Sequence, residues 1–62
     1  MRPKFEIYAA HYPLNGPYPE HFQYGTLWAA LMKFRELRHK GYDIINIYYR
    51  DIKEQFTWAQ EE

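Results

Sequence analysis

One stretch of this 62-residue chain, in its middle, carries the periodicity of a helix. Thr26 can cap it, its hydroxyl accepting from a free backbone N–H of the first turn, although Ala29 removes the acidic half of a capping box. At 100° per residue, Leu27, Ala30, Leu31, Phe34 and Leu37 share one face about 120° wide. The helix is expected to run to about Lys40, with Gly41 as its left-handed terminator. Lys33, Arg35, Arg38, His39 and Lys40 crowd its last turns, where the helix dipole favours cations. One helix can cover only one face of a sheet, so flanking strands must leave their other face to water or to a partner.

The flanks read as strand and loop. Phe5, Ile7 and Ala9 alternate with Lys4, Glu6 and Tyr8, the period of a half-buried strand bounded by Pro3 and Pro13. His11 to Gly25 carries Pro13, Pro17, Pro19 and the turn dipeptide Asn15-Gly16. It is expected to be an ordered loop rather than a hairpin, because its proline-rich flank makes a poor partner strand. Loops beyond about 12 residues are uncommon unless functional or disordered. Tyr42 to Arg50 is rich in β-branched and aromatic residues, hence a strand. Asp51 to Glu54 supplies a turn, and Gln55 to Ala59 returns with Phe56 and Trp58 on one side. The expected fold is a single α+β domain over residues 1–62, ordered β-α-β-β. Its sheet is three-stranded and mainly antiparallel, with the helix on one face and the C-terminal strand central. Parallel crossover pairing of the first two strands stays open.

Eight Lys and Arg balance eight Asp and Glu, and there is no Cys. Disulfides and thiolate metal sites are therefore unavailable, and stability must come from packing or association. Zero net charge lacks the basic excess of strong nonspecific nucleic-acid binders and equally the acidic excess of a nucleic-acid mimic. A local basic patch on the helix remains, and Glu61 and Glu62 form an acidic pair. Met1-Arg2-Pro3-Lys4 opens no long apolar stretch, and no run approaches the roughly 20 residues that cross a bilayer, so a soluble cytoplasmic protein is expected.

Thirteen residues are aromatic, seven of them Tyr. Three surfaces follow. On the outer sheet face Lys4, Tyr8, Tyr42, Tyr48 and Arg50 could stack bases and hold phosphates. The same face could instead stay wet, or pack in a homodimer that hides Ile44. No glycine-aromatic signature of an RNA-recognition motif is present. In the loop, His11, Tyr12 and Tyr18 sit on a proline-stiffened segment suited to protein contact, while Phe22 and Tyr24 can serve as a lid over the core. On the helix, Trp28, Met32, Arg35 and His39 form a stripe beside the core face.

Catalytic patterns are sparse. The histidines at 11, 21 and 39 have no zinc spacing, the three glycines stand apart, and Ser and Cys are absent. His11 with Asp43 or Asp51 is the one acid–base pairing the sequence suggests. The expectation is a non-enzyme without metal or cofactor: a protein-interaction, regulatory module that binds another protein through His11, Tyr12, Tyr18, Trp28, Met32 and Arg35, with homodimerisation also expected. By size and composition, not by motif, the chain is analogous to accessory proteins of phages and mobile elements that bind a host protein. The alternatives are a single-stranded nucleic-acid binder and a structural homo-oligomer.

Overall fold

A computed structural model describes residues 3–60, leaving the acidic pair Glu61–Glu62 outside the described residues. The elements are β1 (Phe5–Ala10), β2 (Glu20–Tyr24), α1 (Leu27–His39), β3 (Ile44–Tyr49) and β4 (Glu54–Ala59). The strands form one antiparallel sheet in the order β2-β1-β3-β4. The α+β class matches the expectation, but the sheet has four strands rather than three, and the order is β-β-α-β-β.

The missed strand is β2. All three loop prolines lie before Glu20, so none interrupts the ladder of five residues that follows. Phe22 and Tyr24 then pair with Ile7 and Phe5 on the helix side, while His21 and Gln23 pair with Tyr8 and Glu6 on the other. An edge position tolerates proline next door, which is where β2 lies. The pairing of β1 with β3 is antiparallel, and β4 is an edge strand rather than the centre.

The helix forms where the sequence places it. Thr26 Oγ1 accepts from the Ala29 N–H at 3.2 Å, and Gly41 takes φ +91°, a conformation that costs glycine little. The core is Phe5, Ile7 and Ala9 from β1, Ile45 and Ile47 from β3, and Ala30 and Leu37 from α1. Ala9 and Ala30 are both fully buried, and their small side chains let helix and sheet approach closely. Phe34 is half-buried, whereas Leu27 and Leu31 are 54% and 43% exposed, although their periodicity assigns them to the core face.

The reason is where α1 lies. It packs across β1, β2 and β3 and does not extend over β4. On its β2 side the helix is clamped: the Lys33 ammonium sits 4.4 Å over the Phe22 ring and bonds Glu36, which also meets Lys40 at 3.7 Å. The Lys33 bond holds the Glu36 carboxyl below its ordinary pKa and the Lys33 ammonium above its own. The Glu36 contribution therefore fades as pH falls through the folded carboxyl value, and the Lys33 contribution as pH rises through the folded ammonium value. On the β4 side only long side chains reach across.

This division sets the energetics. Leu37→Ala should cost roughly 2–5 kcal/mol, a large part of the ~3–9 kcal/mol available to a domain this size. Leu31→Ala should cost less than about 1 kcal/mol. Denaturant melts of both variants check the contrast, and equal losses would mean that Leu31 is covered in solution.

Candidate functional site

Between α1 and β4 runs an open cleft. Its floor is Phe5, Ile47 and Tyr49, its helix wall Leu27 and Leu31, and its far wall Phe56 with Ile52 from the β3–β4 turn. Further along, Phe34 meets Phe56 and Trp58 edge-on, at ring-centroid distances of 6.1 and 6.2 Å. The Arg38 guanidinium lies 4.9 Å over the Trp58 ring. That end is lined by Arg35, Arg38, His39 and Gln60, with no carboxylate among the described lining residues. The opposite end carries Glu54. The α1–β4 cleft thus consists of an apolar hollow with Glu54 at its end and, past the Phe34, Phe56 and Trp58 ring contacts, a second hollow lined by Arg35 and Arg38.

The surrounding surface extends the apolar character. Trp28 is 75% exposed, and Met32, Ile52 and Phe56 are each more than half exposed. Trp28 and Met32 follow Leu27 and Leu31 around the helix, so the band continues onto its outer side. Contiguous apolar patches beyond a few hundred Å² are rare on monomers and mark interaction sites.

The other face of the sheet is self-contained. Tyr8 stacks on His21 at 4.5 Å with the rings 4° from parallel, and Tyr18 tilts onto Tyr8 at 6.0 Å. Glu6 holds His21 Nε2 at 3.2 Å and accepts from Gln23 at 3.4 Å. Asn46 donates to Gln55 at 3.1 Å and to Thr57 at 2.7 Å. Burial, followed by the charge and hydrogen bond of Glu6, raises the Tyr8 phenol above its ordinary pKa. Lys4 faces Asp51 at 3.9 Å, and Arg50 donates to the Pro3 carbonyl at 3.3 Å. Tyr48 lies half-buried on this face, but Tyr42 does not belong to it. It precedes β3 and packs against the core cluster, because strand alternation starts only at Ile44.

The loop residues disperse. His11 stacks on Tyr42 at 4.3 Å with Nδ1 3.8 Å from Asp43 Oδ2, while the Tyr12 N–H donates to the same oxygen at 2.9 Å. Asp43 thereby ties the loop to the start of β3. This is the His–Asp pairing suggested by the sequence, and it sits beside no nucleophile: Thr26 caps α1 and Thr57 accepts from Asn46. Tyr12 keeps half its surface exposed. Phe22 and Tyr24 are strand residues packed on the core rather than a loop lid. Among the described residues no three His, Asp or Glu gather to hold a metal, and no helix is long and apolar enough to cross a membrane.

The expected helix stripe of Trp28, Met32 and Arg35 is exposed; Arg35 lines the cationic end of the cleft, whereas Met32 lines a separate hollow with Tyr24, Lys33 and Glu36. Leu27, Leu31, Ile52, Phe56, Trp58 and Arg38 were not among the expected site residues. Their signal in the sequence is real but points inward, because apolar alternation cannot tell a covered strand from an uncovered one. Comparison of the chain with protein-family models, with curated proteins and with solved structures finds no match in any of the three.

Replacing Glu6 by Gln should lower the Tyr8 titration midpoint towards the ordinary phenol value. The raised phenol pKa means the folded chain loses stability as pH climbs above about 10, and Glu6→Gln should soften that loss. Ultraviolet difference titration against Tyr8→Phe, in both Glu6 backgrounds, measures the shift; an unmoved midpoint would remove Glu6 from the account.

Proposed function

We propose that this chain is a small non-enzymatic protein-interaction module of the accessory, regulatory kind. It binds another protein through the α1–β4 cleft and the adjoining apolar band of α1. The observation that carries this reading is the cleft itself: apolar side chains of α1, β4 and the β3–β4 turn face open space on a domain that otherwise buries its small core. Desolvating such a patch supplies most of the driving force in protein association, and exposed Trp and Arg are the residue types that dominate it. In this reading the chain acts on its partner by occupying a surface. The aromatic sheet face supports nucleic-acid binding less well, because the Glu6 carboxylate holds His21, the ring stacked on Tyr8, and a phosphate backbone laid there would be repelled.

A photo-crosslinking side chain placed at Leu31 or Phe56, with a third placement at Tyr12, tests the reading in native lysate. A single protein crosslinked from positions 31 and 56, resistant to nuclease and lost in the folded Leu31→Glu/Phe56→Glu variant, is expected. Crosslinking from Tyr12 alone, or loss of all capture on nuclease treatment, would overturn it.

A further inference from the structure

We infer that the occupant of the cleft is an amphipathic α-helix of the partner, lying antiparallel to α1 with acidic residues in its first turn. This rests on the cleft being the binding site and adds what binds there.

The width of the vacancy comes first. Four strands at about 4.8 Å spacing are roughly 14 Å across from the first axis to the last, while a helix with its side chains is about 10–12 Å wide. One helix over β2, β1 and β3 leaves β4 without helix cover, and a second helix would lie along that margin, partly beyond the sheet edge. The walls of the apolar hollow are Leu27 and Leu31 on one side and Phe56 on the other, above a floor of Phe5, Ile47 and Tyr49. An extended segment added to the free β4 edge would lie beside the sheet and leave Phe56 and Leu31 uncovered.

Charge then sets direction. Among the described residues, the salt bridges of α1 fall on its β2 side, at Lys33, Glu36 and Lys40, and none involves Arg35 or Arg38. The cationic end of the cleft is therefore open to an incoming carboxylate, and Glu54 marks the other end. A docked helix antiparallel to α1 brings its N-terminus to Arg35 and Arg38 and its C-terminus to Glu54. Acidic residues in its first turn and basic residues in its last then meet opposite charge, in the order that its own dipole already favours. A second copy of this chain fits worse. The two-fold axis that lays each α1 over the other's β4 runs along the helices, making them parallel. It would gather Arg35 and Arg38 of both copies at one end, a like-charge cluster.

The test is a selection from a displayed library of random 16-residue peptides on the full chain, repeated on Leu31→Glu/Phe56→Glu and on Arg35→Glu/Arg38→Glu. Apolar residues at i, i+3, i+4 and i+7 after a first turn rich in Asp and Glu are expected, with binding at least tenfold weaker on the arginine variant. A fresh selection on that variant should turn the first turn basic. Enriched peptides of strand period that still require Leu31 and Phe56 would overturn the helix while keeping the cleft. Helical peptides indifferent to the arginine changes would overturn the orientation. No enrichment, or enrichment that survives Leu31→Glu/Phe56→Glu, would remove the cleft itself. Dimeric sedimentation of the parent chain abolished by Leu31→Glu/Phe56→Glu would put a second copy there and overturn the inference.

Discussion

A single 13-residue helix has to cover a four-stranded sheet, and it is not wide enough. Everything unusual about this surface follows from that mismatch. The helix settles where its smallest buried residue, Ala30, meets the centre of the sheet, and Lys33 and Glu36 fasten its β2 side. The opposite side is left with apolar side chains that have the periodicity of a core and the exposure of a surface. Moving the helix towards β4 would cover Phe56 but uncover Phe22 and Tyr24. The total apolar area hidden by one helix is limited by its width, so the vacancy can shift across the sheet but cannot vanish.

The two faces of the sheet solve the exposure problem differently. The face away from the helix pairs its polar groups with one another: Glu6 with His21 and Gln23, Asn46 with Gln55 and Thr57. Its rings stack flat, which hides their faces while leaving edges and hydroxyls polar. No second layer is needed there. The helix face offers no such internal partners, because its uncovered residues are Leu, Ile and Phe, which only another apolar surface can satisfy. The apolar surface left without an internal partner is therefore on the side that already carries the helix, while the open aromatic face, the more conspicuous one in the sequence, pairs its polar groups internally.

Local chemistry was legible in the sequence, and lateral arrangement was not. Thr26, Gly41 and the apolar period between them located α1, and the alternation in Phe5–Ala9 and around Ile45–Tyr49 located the central strands. β2 was hidden by prolines that in fact stop one residue short of it, although His21-Phe22-Gln23-Tyr24 alternates clearly on its own. Strand order depends on long-range pairing, which no local pattern carries, so β4 looked as suitable for the centre as β1. The cleft inherits that blindness. Leu31 and Phe56 are apolar at core-facing positions, and only the position of α1 over β1 rather than β4 makes them surface residues.

An exposed apolar cleft on a domain this small carries a cost in self-association that its charges help to limit. The β3–β4 hairpin turns through Lys53 in a left-handed conformation, and Glu54 starts the free edge, so that edge opens with two charged residues. Charged residues on a strand edge oppose sheet-to-sheet addition. In a symmetric docking of helix into cleft between copies, Arg35 and Arg38 would likewise bring like charges together. The groups that discourage a second copy are thus the groups that would attract an acidic helix. Under the proposed docking, a cationic end that makes no salt bridge among the described residues would both disfavour the chain's own helix and set the direction of a foreign one.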